Sequence, residues 1–481
     1  MRLYQRCTNF LAFILFFLGS YVGYSQLKIP SFFSDLMVLQ QQETMPFYGY
    51  DLPNKAIELE TSWGYAAVTK TNAKGYWNVT IKTPVGSFTS HSISIKGSTT
   101  IKLKDLLVGE VWLCSGQSNM EMAVGGRSNS PTIGSNEIIL NSNNPHIRLL
   151  NSERNASVTP LEDIVGSWEV ASPKSVEGFS AVGYLFGKKI FDQIKVPVGI
   201  IEAAWGGTRI EPWMPKEVVS QFSHVKMIDT LPEDFNKQKL PSFLYNAMIH
   251  PLTNYKIKGI LWYQGETNRT NPKPYELMMK KLISSWREQW KIPELPFYFV
   301  QIAPYDYTLR KTPDINAALI REAQLNVAKS VDYTGMVVTS DVGDCLDIHP
   351  ARKKEIADRL AYWALAKQYD VQGIQYVNPL YKSMKVEANS IRIFFDKSTA
   401  DKSSGLSSFG EEIVGFTIAG KNKRFYPAKV TINKDRTLTV YSAEVKKPVA
   451  VRYLFSSCFE GNLFNIAGLP VSPFRTDSWE E

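Results

Sequence analysis

The sequence predicts an α/β protein: a mostly parallel sheet covered by helices, with a β-rich region before it and another after it. Three observations predict this. Five short apolar runs, Glu110–Cys114, Val196–Ala204, Ile257–Tyr263, Pro296–Ala303 and Gly335–Ser340, occupy the middle of the chain. Most of them lead through a loop into a helix-like stretch, and alternation of buried strand and helix is the mark of a parallel sheet covered on both faces. The flanks instead alternate apolar and polar residues in short runs cut by Gly, Pro and Asn, as antiparallel β-structure does.

Residues 1–25 come first and read as a leader. Arg2 and Arg6 precede an apolar stretch from Phe10 to Val22, with Gly23 and Ser25 at its end. This is the shape of a secretory signal peptide, and the stretch is shorter than the roughly 20 residues a helix needs to cross a bilayer. No other segment is apolar and long enough to span, so no membrane span is expected after cleavage. Residues 26–105 then read as an N-terminal β-sandwich region, through runs such as Ala56–Thr61, Trp77–Lys82 and His91–Lys96. Residues 106–375 carry the strand–helix alternation. Leu277–Trp286 and Glu355–Lys367 are its clearest helices; in the second, Ile356, Leu360, Trp363 and Ala364 recur at helical spacing. Residues 376–481 form a C-terminal β-rich region with Ser390–Phe395, Ala428–Ile432, Leu438–Tyr441 and Val449–Leu454.

Composition excludes several classes. With 44% apolar and 21% charged residues the chain is neither a disordered segment nor a coiled coil. The net charge of +8 raises the question of nucleic acid, but the basic residues are scattered, with only short clusters such as Arg352-Lys353-Lys354. No nucleic-acid partner is expected. Of four cysteines, Cys7 lies in the leader, so Cys114, Cys345 and Cys458 allow at most one disulfide within the remaining chain. Cys114 and Cys345 flank the two blocks described next, which makes them one candidate pair. No HExxH or CxxC occurs, and the five His residues lack ligand spacing, so no metal or other cofactor is expected.

In a parallel sheet, ligands bind beyond the carboxyl ends of the strands. After the first run stands Ser115-Gly116-Gln117-Ser118-Asn119-Met120-Glu121. Ser118 at the start of a helix suits a nucleophile whose intermediate is an oxyanion, and it suits an ordinary N-capping serine equally. After the second run stands Trp205-Gly206-Gly207-Thr208-Arg209. A glycine N–H there could face an oxyanion, or the pair could be only a tight turn. Arg209 could hold a substrate carboxylate or pair with Glu211. The third run ends in Gln264-Gly265-Glu266-Thr267-Asn268, which serves substrate contacts or loop capping. The fifth leads to Asp341-Val342-Gly343-Asp344-Cys345-Leu346-Asp347-Ile348-His349-Pro350. A neutral His beside carboxylates is the natural general base for a serine.

These blocks, in this order, resemble the SGNH-type hydrolases and more closely the sialate O-acetylesterase family with its carbohydrate acetylesterase relatives. Asn462-Leu463-Phe464-Asn465, Gly468-Leu469-Pro470 and Pro473-Phe474-Arg475-Thr476-Asp477 extend the resemblance to the carboxyl end. It implies a three-layer α/β/α SGNH-hydrolase-like core with accessory β-sandwich regions, and removal of O-acetyl groups from sugars or sialic acid without a cofactor. Carried over, Ser118 is the nucleophile, His349 the base and Asp347 its partner. Ser118, Gly207 and Gln264 form the oxyanion hole, and Gln117, Asn119, Arg209 and Glu266 touch substrate. Two positions depart from the SGNH pattern. Leu346 stands three before the His, where an Asp is usual, so Asp347 orients His349, Asp344 does, or Ser118 and His349 work as a dyad. Asn268 stands one residue beyond the usual Gly-x-Asn. The same machinery would serve an acetylxylan or xyloglucan acetylesterase; a non-catalytic carbohydrate-binding protein would not need both Ser118 and His349.

Overall fold

The computed structural model describes residues 26–230, 236–310, 315–396 and 405–480; the expected leader lies outside them. A single sheet runs through the centre. Its strands lie in the order Thr334–Val337, Phe297–Val300, Gly259–Tyr263, Thr100–Gly116, Val198–Ala204, Asn144–Asn151 and Trp168–Ala171. All neighbours are parallel except the last pair. The five apolar runs are all strands of this sheet. Asn144–Asn151 was not among them because Arg148 interrupts its apolar character. Arg148 is nonetheless buried, with its guanidinium on Pro145 O and the Asp105 carboxylate.

Strand side chains alternate between faces, and the two faces feed different cores. Leu113, Ile260, Trp262, Phe297 and Phe299 face one, with the helices Tyr275–Trp290 and Ile315–Ser330 packed over them. Trp112, Cys114, Leu261, Tyr263 and Tyr298 face the other, under the helices Ala181–Ile194 and Lys353–Gln368. This is a three-layer α/β/α arrangement. The helix Ala181–Ile194 lies so close to the sheet that a Cβ on Gly187 would stand 2.7 Å from Ile200 Cγ1, so only glycine fits there.

The N-terminal region is continuous with the centre. Its strands Ala66–Lys70, Ala56–Thr61 and Ser87–Lys96 pair in that order, the last of them pairs with the first half of Thr100–Gly116, and a second small sheet joins Thr44–Tyr50 to Tyr76–Lys82. The expected boundary near residue 105 falls inside one 17-residue strand. The strand bends there, at Asp105, whose φ is +53°. Phe33, Phe47, Ile57 and Trp77 belong to the same apolar cluster as the sheet residues Trp262 and Phe297.

The C-terminal region has its own core. Two antiparallel four-stranded sheets enclose Ile391, Ile393, Phe416, Ile418, Leu438, Val440, Val451 and Phe474. Its disulfide joins Cys345 to Cys458, while Cys114 is free and buried. This corrects the Cys114–Cys345 candidate: Cys114 is a strand residue packed beneath Gly183, within the sheet–helix core, whereas Cys345 sits on a loop at the rim.

Candidate active site

Three adjacent strands at the middle of the sheet bring three of the motif blocks to one rim. The central strand ends at Gly116, which turns the chain with φ +135°. A Cβ here would stand 2.2 Å from Tyr263 O, so the close approach to the neighbouring strand requires glycine. Gln117 N–H then donates to Tyr263 O at 2.9 Å, and the short helix Ser118–Glu121 begins. Ser118 is thus placed by the sheet itself.

His349 arrives differently. It follows the edge strand Thr334–Val337, three positions from the central strand, and reaches Ser118 on a long loop. Its Nε2 stands 2.9 Å from Ser118 Oγ. Asp347 Oδ1 accepts the His349 backbone N–H at 2.9 Å and lies 3.5 Å from His349 Nδ1; Ser130 Oγ lies 3.3 Å from the same nitrogen. The Asp344 carboxylate accepts the Leu346 N–H at 2.8 Å and so shapes the loop. Other contacts hold the loop: Arg359 forks onto the Asp341 carboxylate at 2.8 and 2.6 Å, and Asp306 N–H donates to Cys345 O at 3.0 Å.

Ser118 and His349 open on a cleft of about 570 Å³ lined also by Gln117, Arg127, Gly207 and Arg269. Gly206 and Gly207 both line this cleft, and because the Gly206 N–H is taken by Glu121 Oε2 at 3.0 Å, the Gly207 N–H is the one left for a ligand. Glu121 is itself held by Arg127 at 3.1 Å and Arg154 at 2.6 Å. The sequence reading passed over Glu121, Arg127 and Ser130; Glu121 lies inside the first motif block, but nothing local tells that it faces Gly206.

The structure turns the Gln264 amide into the protein rather than toward the cleft. Gln264 is fully buried, and its amide nitrogen has three acceptors in reach: Asn268 Oδ1 at 2.7 Å, Gln117 Oε1 at 3.2 Å and Thr208 O at 3.2 Å. Its two hydrogens are therefore committed within the protein. Asn268 likewise accepts from Ile210 N–H and donates to Glu211, so it ties the second block to the third.

Gln117 and Glu266 line the floor of the cleft while buried, whereas Asn119 is wholly inside and touches no open space. Burial pushes the Glu266 carboxyl above the usual range, and Asn119, Lys353 and Arg269 pull it back. Burial likewise pulls the Lys353 ammonium down, and the Glu266 and Asp347 carboxylates work against that. Arg209 lies outside this cleft, with Thr270 Oγ1 at 2.6 Å and Glu211 Oε1 at 3.9 Å from its guanidinium. It lines an adjoining cavity of about 600 Å³ that shares Lys239, Thr267 and Arg269 with the first. Among the described residues no group of side chains suited to a metal ion occurs.

A serine hydroxyl against an imidazole at the carboxyl rim of a parallel sheet, with glycine backbone beside it, marks the class of α/β ester hydrolases. Comparison with known proteins narrows this. Residues 108–365 match the family described as carbohydrate esterase, sialic acid-specific acetylesterase. The sialate O-acetylesterase of Homo sapiens is 29% identical over 397 residues, 75% of each chain. That of Mus musculus is 27% identical over 494 residues, 89% of this chain and 90% of its own. The crystal structure of a carbohydrate acetylesterase from Xanthomonas citri superimposes with a TM-score of 0.85 at 33% identity, covering 94% of this chain and 100% of its own. The chain belongs to the sialic acid-specific acetylesterase family, and with it to the carbohydrate O-acetylesterases.

Proposed function

We propose that the protein removes O-acetyl groups from sialic acid by a serine mechanism in which Ser118 is the nucleophile and His349 the general base. The observation that carries this is the 2.9 Å contact between Ser118 Oγ and His349 Nε2. His349 takes the hydroxyl proton as Ser118 Oγ attacks the acetyl carbonyl. The tetrahedral oxyanion is held by the backbone N–H groups of Ser118 and Gly207. Collapse expels the sugar oxygen, which takes the proton from His349 and leaves acetyl-Ser118. Water, deprotonated by the same imidazole, then releases acetate. Asp347 steadies His349 through its backbone N–H and favours the imidazolium from 3.5 Å.

The acidic sugar is favoured by charge. The cavity beside the catalytic cleft carries Arg209, Lys226, Lys239 and Arg269, and Glu211 is its one acid among the described residues. A carboxylate on the leaving sugar is attracted there, and a neutral sugar gains nothing from it. Export is part of the same reading: the 1–25 leader is supported by the Cys345–Cys458 disulfide, which persists in oxidising compartments. None of the helices among the described residues is long and apolar enough to cross a membrane.

The test is acetate release from O-acetylated sialic acid and from acetylated xylan oligosaccharides, with Ser118→Ala alongside. Ser118→Ala is expected to lower kcat by about 10⁴-fold or more; near wild-type turnover would overturn the assignment. Preference for xylan would keep the chemistry and replace the acidic sugar by a neutral polysaccharide. A folded protein inactive on both would restore the carbohydrate-binding alternative.

A further inference from the structure

The reaction above leaves three buried polar side chains unused, and all three lie directly behind Ser118 and His349. Lys353 and Asn119 are 0% exposed and Glu266 is 2% exposed. They form a chain. Lys353 Nζ donates to Asn119 Oδ1 at 2.7 Å. Asn119 Nδ2 donates to Glu266 Oε1 at 2.6 Å and to Ile348 O at 3.1 Å. Asn119 is the residue after the nucleophile, and Ile348 is the residue before the base. One amide therefore bridges the turn that holds Ser118 to the loop that holds His349.

Burying a lysine and a glutamate is costly, and apolar side chains of similar size would fill the space better. The charges have a specific use here. An asparagine amide fits a site in two orientations that differ by exchange of its oxygen and nitrogen. With an ammonium on one side and a carboxylate on the other, only one orientation is favourable: oxygen to Lys353, nitrogen to Glu266. That orientation is the one that directs the amide at Ile348 O. The flipped amide would set NH₂ against the ammonium and oxygen against both the carboxylate and the Ile348 carbonyl. The ring of Tyr263, with its centroid 5.7 Å from Lys353 Nζ, further favours the charged lysine.

We propose that Lys353 and Glu266 are positioning residues of the esterase: by orienting Asn119 they set the approach of His349 to Ser118. The proposal rests on the catalytic reading of that pair. It also gives Glu266 a task other than substrate contact, and one for Lys353 beyond its place in a basic cluster.

The experiment compares kcat, KM and melting temperature on a small uncharged aryl acetate for wild type, Glu266→Gln, Lys353→Met and the Lys353→Met/Glu266→Gln double variant. Ser118→Ala serves as the control for the catalytic reading. Lys353→Met alone removes one of the two cations that favour the buried Glu266 carboxylate, Arg269 being the other, and is expected to lower both melting temperature and kcat. The double variant removes both charges at nearly constant volume, so its melting temperature returns close to wild type. Its kcat is expected to stay down by about 10²-fold, the scale of an ångström of misplacement, with KM within about threefold of wild type. Glu266→Gln, the mildest change, is expected to cost about tenfold in kcat with KM unchanged. Recovery of kcat together with melting temperature in the double variant, or unchanged kcat in Glu266→Gln, would overturn the proposal and leave the chain a structural one. Active Ser118→Ala would instead refute the catalytic reading beneath it.

Discussion

Ser118 and His349, the proposed nucleophile and base, are held by different parts of the molecule. Ser118 stands at the end of the central strand, whose first half belongs to the N-terminal β-region. That region shares one apolar cluster with one face of the sheet, while Met120, in the turn after Ser118, packs into the cluster on the other face, so the Ser118 turn is held between the two. His349 stands on an irregular loop whose neighbour Leu346 is 81% exposed and whose covalent anchor, Cys458, lies 113 residues further along in the C-terminal region. That region keeps a separate core. The difference teaches that the two β-regions are not equivalent additions. The first shares a core with the sheet; the second keeps its own core and is tied to the His349 loop by the Cys345–Cys458 disulfide.

Changes to the base loop should sharpen this contrast most. Asp347→Asn removes the carboxylate that accepts the His349 backbone N–H and sits near Nδ1. A kcat loss of about 10²–10³-fold is expected, below that of a fully engaged triad aspartate because Ser130 shares the ring nitrogen. A larger loss in Ser130→Ala than in Asp347→Asn would reverse the assignment. The next effect is the disulfide. Cys458→Ser frees the loop and is expected to lower kcat about tenfold. It should also cost about 2–4 kcal/mol of stability. Full activity in the thermally weakened variant would show that the C-terminal region does not govern the base.

The opposite behaviour is expected on the N-terminal side. Phe33 packs on Phe47 with ring centroids 4.0 Å apart and on Tyr255 at 5.9 Å. Phe33→Ala should cost about 3–5 kcal/mol in urea unfolding while leaving kcat per folded molecule unchanged. A fall in kcat below the melting transition would break the comparison.

The smallest effect on turnover is expected at Glu202, on the strand beside the nucleophile. Burial raises its carboxyl to about 8, against which the Ser180 N–H works. Between its unfolded value of 4.5 and about 8 the folded protein holds a proton that the unfolded chain has lost. Stability should therefore fall as pH rises through that window, by on the order of 2–4 kcal/mol in all, and level off above it. Glu202→Gln should abolish that slope and be more stable than wild type at pH 8, measured by urea midpoints at pH 5 and 8. Parallel slopes for the two proteins would remove Glu202 from the account.

The chain by itself determined the parallel strands, because a buried strand must be apolar on both faces and such runs stand out locally. It determined the rim as well: Ser118, Gly207 and His349 each lie just beyond an apolar run, in short segments whose residue types carry their chemistry wherever the fold puts them. The helix Ala181–Ile194 escaped notice because two glycines, needed for close packing on the sheet, blur its pattern. What the tertiary structure alone decided are the pairings across long separations. Lys353 and Asn119 are 234 residues apart, and no spacing rule joins them. Gln264 has the chemistry of an oxyanion donor, yet packing turned its amide toward Asn268. Cys345 found Cys458 rather than Cys114 because one lies on the rim and the other inside the sheet. A side chain's chemistry is local, but the direction in which it is spent depends on which buried groups stand opposite, and only the folded chain brings them there.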